Sequence, residues 1–341
     1  MPERLCAVVD AMAGQSVIML VDLVADRFIT GVPKRISREA PVLILEFESE
    51  TVTPGGGANA LANVRSLGGV PLGVGILGDD ANGRRLLEEL EALGVETRGV
   101  VRRAGYRTPT KTRILGGGRH SIKQQIVRYD IEEALELEAR DVSELKAALE
   151  GFQGRSTVAV LSDYGYGTVN PGLLEAVRGA LGPSGRVLVD SRYRLRDFKG
   201  LDGATPNEEE TEALLGGPLG DDMDRLEQGG RRLLEELEAS FLLVTRGSRG
   251  MSLFERGRTC HIPVFGTDQV ADVTGAGDTV IGTFALALAA GATPLEATLL
   301  ANYAGGIVVM KMGTATLGPE ELRTAVEARP SWLEGMSWAE W

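Results

Sequence analysis

The chain alternates between short apolar runs and amphipathic segments, and this alternation limits its possible folds more than any other feature. Apolar runs at Val17–Val21, Val70–Leu77, Thr157–Leu161 and Phe241–Thr245 are separated by helix-like segments. Continuous apolar runs are typical of strands buried on both faces, and strands joined by helices form parallel sheets covered by those helices. The sequence therefore predicts a three-layer α/β fold with a doubly wound, mostly parallel sheet.

Two strand-rich segments, residues 27–53 and residues 107–129, interrupt this alternation. Within the second segment, Thr108–Leu115 and Ser121–Tyr129 flank a run of glycines and predict a hairpin. Each segment follows a strand of the predicted main sheet, so we expect the two to form a small inserted β-sheet that acts as a lid. The α/β core would then comprise residues 1–26, 54–106 and 130–341.

The overall composition is that of an acidic soluble protein. It has 48 Asp and Glu against 36 Lys and Arg, a net charge of -12, so neither nucleic acid nor a membrane surface is an expected partner. Two distant cysteines and an N-terminus without a signal-peptide pattern predict a reducing, cytoplasmic location. Two histidines without ligand spacing make a zinc site unexpected.

Residues 102–128 depart from this acidic balance. They include eight basic residues and no acidic one. A solvated charged surface is one explanation, and a binding site for an anionic ligand is the other. The contrast with the acidic chain strengthens the second explanation, and both stay open. The basic residues are Arg102, Arg103, Arg107, Lys111, Arg113, Arg119, Lys123 and Arg128.

The segment Asp272-Val273-Thr274-Gly275-Ala276-Gly277-Asp278 precedes a long apolar run, Val280–Ala290. Its glycines lie where a helix begins, and the N–H groups at a helix start have no partner within the helix, so they favour an anion. Asp278 follows in the first turn, where a carboxylate is placed to deprotonate a hydroxyl group. The alternative is a glycine-rich loop that only caps the helix.

Further polar groups fall at the ends of predicted strands, which in a parallel sheet meet at one edge. They are Asp22, Asp79, Asp163, Asp190 and Arg246. A glycine-rich loop, Gly55–Asn59, also enters a helix, and Asn207 and Glu210 share one helix face, either for binding or as a helix cap. An anion hole, a base and a basic lid together predict phosphoryl transfer.

These motifs resemble the ribokinase-like (PfkB-type) carbohydrate kinases over nearly the whole chain. Asp272–Asp278 resembles their second signature, Gly55–Asn59 their first, Asn207–Glu210 their NxxE motif and Thr245–Gly247 their nucleotide-side strand end. Within that family the heptose 7-phosphate kinases are the most similar. The segments that carry this finer resemblance are Asp22–Arg27, Arg35–Val42, Pro109–Arg113, Arg128–Asp130, Leu161–Gly165 and Lys311–Thr314.

The resemblance implies an enzyme that uses ATP and Mg²⁺, and possible dependence on a monovalent cation is left open. The implied reaction phosphorylates the anomeric hydroxyl of D-glycero-D-manno-heptose 7-phosphate to the 1,7-bisphosphate, a lipopolysaccharide precursor. Many such kinases carry a nucleotidyltransferase domain as well, and only the kinase half is expected here. A homodimer formed through the lid is also expected.

The alternative within the fold is a kinase of an uncharged acceptor such as ribose, fructose or adenosine. A ligand-binding protein without activity is disfavoured by the intact Asp278 and Gly-Ala-Gly segment. A dehydrogenase is disfavoured because no GxGxxG motif follows the first strand.

The resemblance also implies a role for each matching residue. Asp278 would be the base, and the N–H groups of Gly275, Ala276 and Gly277 would form the anion hole. The substrate would be bound by Asp22, Asp26, Gly56, Gly57, Asn59, Lys111, Arg113, Arg128 and Asp163. ATP would be bound by Asn207, Thr245, Arg246, Gly247, Gly275, Gly277, Asn302 and Gly305. Glu210 would act on Mg²⁺ through water, and Lys111, Arg113 or Arg128 would pair with the substrate phosphate.

The sequence departs from the pattern of the heptose kinases at three places. Val21 stands where relatives have Gly, Tyr166 where they have Lys, and Ser191-Arg192 where they have Pro-Lys. Two lysines are thereby lost, so we expect either a different sugar or a different phosphate grip in which Arg192 and Arg194 replace them.

Overall fold

The computed structural model describes residues 1–118, 123–266, 270–328 and 334–341. The described strands are β1 (Ser16–Val21), β2 (Leu23–Ile36), β3 (Leu43–Gly56), β4 (Val70–Gly78), β5 (Glu96–Arg103), β6 (Thr110–Gly116), β7 (Gln124–Ile131), β8 (Val158–Asp163), β9 (Arg186–Ser191), β10 (Gly203–Ala204), β11 (Phe241–Thr245), β12 (Met251–Glu255), β13 (Arg258–Ile262) and β14 (Ser337–Glu340). The described α-helices are α1 (Pro2–Ala11), α2 (Gly57–Ser66), α3 (Ala81–Ala92), α4 (Ala139–Glu150), α5 (Leu174–Ala180), α6 (Glu208–Leu215), α7 (Met223–Glu236), α8 (Ala276–Ala289), α9 (Pro294–Val308) and α10 (Pro319–Glu327).

The larger sheet has the strand order β14-β13-β12-β11-β10-β9-β8-β1-β4-β5. Within this order, the neighbouring strands from β5 at one edge to β11 run parallel to one another. The pairs β11–β12, β12–β13 and β13–β14 are antiparallel. The predicted doubly wound, mostly parallel sheet is therefore confirmed. The chain places β4 on one side of β1 and β8 on the other, and the crevice at such a switch in strand order is where ligands bind in this class of fold.

Two hydrophobic cores cover the two faces of the larger sheet. In β1, Val17, Met19 and Val21 join one core, while Ile18 and Leu20 join the other. This follows from the two-residue period of a strand, which turns successive side chains to opposite faces. None of the helices in the described residues has the length and apolar character needed to cross a membrane.

The smaller sheet has the order β3-β2-β6-β7. A single residue separates the end of β1 from the start of β2, and β2 pairs along its length with β3. The sheet includes a few residues on either side of the predicted segment 27–53, and the boundaries of core and lid remain a prediction. Arg119 and the start of the predicted strand Ser121–Tyr129 lie outside the described residues.

Several element boundaries differ from the sequence prediction. The sequence predicts a helix from Ala134 to Leu149, but α4 begins at Ala139, because Glu138 and Asp141 form a reciprocal capping box that fixes the helix start. Strands β10, β13 and β14 were not predicted. All three are short. Strands β10 and β14 pair with strands that are distant in the chain, whereas β13 pairs with β14 and, across a tight turn, with β12.

Candidate active site

A cavity of about 490 Å³ lies where the smaller sheet meets the carboxyl ends of the larger sheet's strands, and we call it the catalytic cavity. The predicted site residues that line it are Asp26, Gly56, Lys111, Arg113, Arg128, Asp163, Asn207, Glu210, Thr245, Gly275, Gly277 and Asp278. The other lining residues include Tyr164, to which no role was assigned from the sequence, Asp190, noted as a polar group at a strand end, and Arg192, expected to replace a lost lysine. The structure thus brings together residues that are far apart in the chain.

Asp278 lies in the first turn of α8, and its carboxylate is held at both oxygens. The Tyr164 hydroxyl donates to Oδ1 at 2.6 Å, and the Asn59 amide Nδ2 donates to Oδ2 at 2.8 Å. Burial raises the pKa of the Asp278 carboxyl to about 6, and the hydrogen bonds from Tyr164 and Asn59 act in the opposite direction. The carboxylate is therefore fixed in position and has a proton affinity suited to a general base near neutral pH.

Asn59 was predicted to bind substrate, and in this structure its side-chain amide is bound to the Asp278 carboxylate. Its side chain is buried and accepts a hydrogen bond from Asn63 Nδ2 at 3.3 Å, while Asn63 Oδ1 accepts one from the Thr279 hydroxyl at 2.9 Å. This chain of bonds joins α2 to α8. A buried polar network of this kind is stable because its members satisfy one another.

The loop before α8 makes two N–H groups available to an anion. Gly275 adopts a left-handed conformation with φ of +78°, which begins the helix. The N–H groups of Gly275 and Gly277 have no hydrogen-bond partner among the described residues, whereas the N–H of Ala276 donates to Val273 O at 3.3 Å. Of the three predicted donors, Gly275 and Gly277 are therefore free to bind an anion in this structure.

Asp22 was also predicted to bind substrate, but its carboxylate is fully buried and bound to the backbone. Its two oxygens accept hydrogen bonds from the N–H groups of Tyr164, Tyr166, Thr168 and Val169. Burial raises the pKa of Asp22 to about 6, and the backbone donors oppose this shift. In this structure the Asp22 carboxylate fixes the backbone segment that carries Tyr164, and its acceptor positions are already in use.

Asn207 and Glu210 form the reciprocal helix cap that the sequence left as an alternative, and both also line the catalytic cavity. Asp190 lies nearby, and its pKa is raised well above the usual range by burial and then by the charge of Glu210. Two carboxylates that repel each other fit a divalent cation, which would relieve that repulsion. No cluster of three or more metal-binding side chains occurs in the described part of the chain, so phosphate oxygens and water would complete the coordination of Mg²⁺.

Several predicted cations are already paired. Arg113 forms a salt bridge with Asp26 at 2.7 Å, and Arg128 binds both oxygens of Asp130 at 2.9 and 2.5 Å. Arg194 binds Asp163 at 2.9 Å and also the carbonyl of Val169 at 2.7 Å. These pairs tie the smaller sheet and the loop after β9 into position.

The predicted nucleotide-side residues have mixed positions. Thr245 lines the catalytic cavity, but Arg246 turns away from it and donates to Gly220 O at 3.1 Å. Asn302 is buried, donates to Pro263 O at 2.7 Å and accepts from the Phe265 N–H at 3.4 Å. Three predicted glycines do not line the cavity, and their binding roles stay predictions. They are Gly57, Gly247 and Gly305.

Sequence reasoning assigned no role to Tyr164, noted Asp190 only as a strand-end polar group, and named Arg192 only as a replacement for a lost lysine. All three lie at or just beyond the ends of the parallel strands β8 and β9, at the ligand-binding edge of the sheet. Position alone was a sufficient reason to list Asp190 but gave no reason to select a tyrosine.

Comparisons with known proteins match the chain to one family. Residues 16–321 match the model of the pfkB family carbohydrate kinases. The chain is 37% identical over 331 residues to the bifunctional protein HldE of Mesorhizobium japonicum, and 43% identical over 319 residues to HldE of Halorhodospira halophila. These alignments cover 95% and 92% of this chain but 64% of each relative, so the chain spans less than two thirds of their length.

Solved structures with the same fold include Arabidopsis thaliana ribokinase in complex with ribose and ATP, with a TM-score of 0.69 and 20% identity. Escherichia coli phosphofructokinase-2 in complex with substrates and products has a TM-score of 0.71 and 18% identity. Each alignment covers 92% of this chain and 99% of the other. At this level of identity the likeness concerns the fold.

Proposed function

This chain belongs to the pfkB family of carbohydrate kinases, and we propose that it transfers the γ-phosphoryl group of ATP to the anomeric hydroxyl of D-glycero-D-manno-heptose 7-phosphate. The observation that carries this proposal is the Asp278 carboxylate, buried and held at both oxygens beside free N–H groups at a helix start. A fixed base next to an anion hole is the arrangement that phosphoryl transfer to a hydroxyl requires.

The reaction assigns one role to each group. Asp278 takes the proton as the sugar O–H bond breaks, and the hydroxyl oxygen forms a bond to the γ-phosphorus. The bond between that phosphorus and the β,γ-bridging oxygen breaks, and ADP leaves with the electron pair. The N–H groups of Gly275 and Gly277 hold the negative charge on the transferring group. Mg²⁺, held near Glu210 and Asp190, would neutralise charge on the phosphates.

The heptose 7-phosphate is favoured over an uncharged acceptor by the charge around the cavity. Lys111, Arg113 and Arg128 reach it from the smaller sheet, and Arg192 reaches it from the larger one. An acceptor that carries a phosphate uses this charge, whereas ribose, fructose or adenosine does not. The similarity to the HldE proteins and the heptose-kinase motifs of the sequence support the same choice.

The experiment is ADP release with Mg-ATP on a panel of acceptors: heptose 7-phosphate, the same heptose without phosphate, ribose, fructose and adenosine. We expect the value of kcat/KM for heptose 7-phosphate to exceed that for every uncharged acceptor by at least about 100-fold, because charge-assisted hydrogen bonds to phosphate are worth about 1.5–3 kcal/mol each. Preferential turnover of ribose, fructose or adenosine would overturn the choice of acceptor.

The proposal includes a homodimer formed through the smaller sheet. That sheet exposes large apolar side chains, among them Ile36, Phe47 and Val127, with exposed fractions of 68%, 67% and 47%. A sheet with exposed apolar residues and free edges favours pairing with another copy.

The proposal also includes a monovalent cation. It would bind near the loop in which the Asp272 carboxylate accepts a hydrogen bond from the Gly313 N–H. The test compares activity in K⁺ and in tetramethylammonium salts.

A further inference from the structure

A second cavity, of about 280 Å³, adjoins the catalytic cavity and shares four of its lining residues, Lys111, Arg128, Tyr164 and Arg192. We propose that this second cavity binds the phosphate group that the acceptor sugar already carries, and that Lys111 and Arg192 are the side chains that hold it. The inference rests on the proposed function, since it concerns the acceptor of the same reaction.

The four candidate cations around the two cavities differ in whether they already belong to an ion pair. Arg113 is bound to Asp26, and Arg128 donates from Nε and Nη2 to the two carboxylate oxygens of Asp130. Lys111 and Arg192 have no ion-pair partner within the described ranges. Both line the second cavity as well as the catalytic one, so they are the cations available to an incoming anion.

Lys111 is placed for this role by the Tyr164 ring. Its ammonium nitrogen lies 5.4 Å from the centre of that ring, a cation–π contact that holds the charge at the mouth between the two cavities. Removal from water lowers the pKa of Lys111, against the opposing effect of Asp26. A cation withdrawn from water without a paired anion is unfavourable, and a phosphate beside it would remove that cost.

Arg192 stands on a rigid segment. Its own N–H donates to Asp163 O at 3.0 Å, and its neighbours Ser191 and Arg194 both bind the Asp163 carboxylate. The backbone is therefore fixed while the guanidinium group faces the cavities and lies 5.7 Å from the Tyr193 ring centre. An arginine binds phosphate through two parallel N–H donors, which a lysine at this position does not offer.

Charge in the second cavity also favours an anion. Its lining residues include three cations, Lys111, Arg128 and Arg192, and one carboxylate, Glu132. Glu132 accepts a hydrogen bond from the Tyr166 hydroxyl at 3.3 Å. The positive residues therefore outnumber the negative one even after Arg128 is set against its partner Asp130.

Tyr164 sets the distance between the two ends of the acceptor. Its hydroxyl donates to Asp278 in the catalytic cavity, while its ring contacts Lys111 and lines the second cavity. The bound phosphate and the reacting hydroxyl are then separated by about the length of a tyrosine side chain. This selects a sugar whose phosphate lies at the opposite end from the hydroxyl that reacts, as carbons 7 and 1 do in the heptose.

The test compares the variants Lys111→Gln and Arg192→Gln with the wild-type enzyme on heptose 7-phosphate and on the heptose without phosphate. Each variant should raise KM for heptose 7-phosphate by about 10-fold or more, the loss expected for one charge-assisted hydrogen bond. KM for ATP and the affinity for the heptose without phosphate, measured as KM or as a competitive inhibition constant, should change by less than about 3-fold.

Matched controls are Lys123→Gln and Arg196→Gln. Lys123 pairs with Glu48 and Arg196 with Glu236, and neither lines either cavity. Both controls should keep the wild-type KM values. The inference is overturned when the test variants leave KM for heptose 7-phosphate unchanged, or when they weaken both heptoses equally. A fall in kcat alone, on both acceptors, would place Arg192 at the γ-phosphate and also overturn it.

Adding other sugar phosphates to the acceptor panel separates the two possible failures. If the wild-type enzyme prefers one of them, the heptose is rejected, and the same variants are compared on that acceptor and on its unphosphorylated form. No change of KM for that sugar phosphate, or an equal change for both forms, overturns the subsite. Absence of turnover on every phosphorylated acceptor rejects the subsite together with the heptose.

Discussion

At the scale of single residues, the site depends on how one carboxylate is held. Asp278 is buried, and its two oxygens are occupied by Tyr164 and Asn59 at 2.6 and 2.8 Å. Each carboxylate oxygen has a second lone pair, so a sugar hydroxyl can still donate to it. The base is thereby fixed before the substrate arrives, and this lowers the cost of orienting it during the reaction.

Replacing the base tests its role directly. Asp278→Asn should lower kcat by about 10²–10⁴-fold, the range for loss of a general base, because the amide cannot accept the proton. ATP binding, measured by isothermal titration calorimetry, should stay within about 3-fold of the wild-type value. A variant that keeps nearly full turnover would remove Asp278 from the base role.

The Tyr164 hydrogen bond tunes the pH dependence. It stabilises the ionised form of Asp278, whose pKa is about 6, so Tyr164→Phe should raise that pKa further. The base works when ionised, and the acid limb of the kcat/KM profile should therefore move to higher pH by about 1–2 units, equivalent to one charged hydrogen bond. Tyr166→Phe serves as the control, because its hydroxyl bonds Glu132 instead. An acid limb that does not move would contradict this role of Tyr164.

At the scale of elements, the site is formed where the start of α8 packs against α2. A side chain at Gly275 would place its Cβ 2.4 Å from Asn59 Nδ2, and the residue has a φ of +78°. Glycine is therefore required twice, by the left-handed backbone and by the approach of the amide that holds the base.

Gly275→Ala should reduce both stability and activity. We expect the free energy of unfolding to fall by about 1–3 kcal/mol from the strained backbone and the displaced Asn59, and kcat to fall because Asp278 loses a partner. Chemical denaturation with parallel assays measures both. Gly277→Ala is the matched control for stability. Among the described residues, no atom outside its chain neighbours and its own helix backbone lies within 4 Å of the added Cβ, and its φ is not positive. Equal stability of the Gly275 variant and the control would contradict this account.

The elements also show how much the sequence could predict. Strands with a strong local pattern, such as β1, β4 and β11, were predicted with nearly the observed bounds, because burial on a regular face produces that pattern. Strand β14 was missed because it acquires its structure by pairing with β13, more than seventy residues earlier in the chain. Local sequence contains no record of such pairing.

The same distinction applies to the candidate site. The predicted base and its glycines form one contiguous motif, and together with the basic lid that motif predicted phosphoryl transfer. Tyr164 and Asn59 bind Asp278 from 114 and 219 residues away in the chain, so their contacts follow only from the fold. Asp22 was assigned to substrate by resemblance, and only the structure revealed the backbone N–H groups that occupy its carboxylate.

At the scale of the whole molecule, the smaller sheet closes the cavity from one side and exposes apolar residues on its surface. If it forms the proposed dimer, sedimentation equilibrium should give twice the chain mass of 36.3 kDa. Phe47→Glu, at a side chain that is 67% exposed, should shift the protein towards monomer by placing a charge in the interface. Trp338→Glu is the control, because Trp338 is 48% exposed on β14, at the outer edge of the larger sheet. Wild-type protein that remains monomeric at micromolar concentration would reject the dimer.

The charge of the whole molecule is opposite in sign to the charge around its catalytic cavity. The net charge of the chain is -12, yet cations from both sheets face that cavity. Such a local reversal of sign attracts anions to one place, and its effect on association should weaken as salt concentration rises.

The central claim is that this site phosphorylates the anomeric hydroxyl of a sugar that already carries a distant phosphate. The most direct measurement is ³¹P NMR of the product formed from D-glycero-D-manno-heptose 7-phosphate and Mg-ATP. The account predicts a new anomeric phosphate signal that appears together with ADP while the 7-phosphate signal is retained, and Asp278→Asn should slow its appearance by about 10²–10⁴-fold. Phosphorylation at another hydroxyl, or ADP release without a new sugar phosphate signal, would contradict the account.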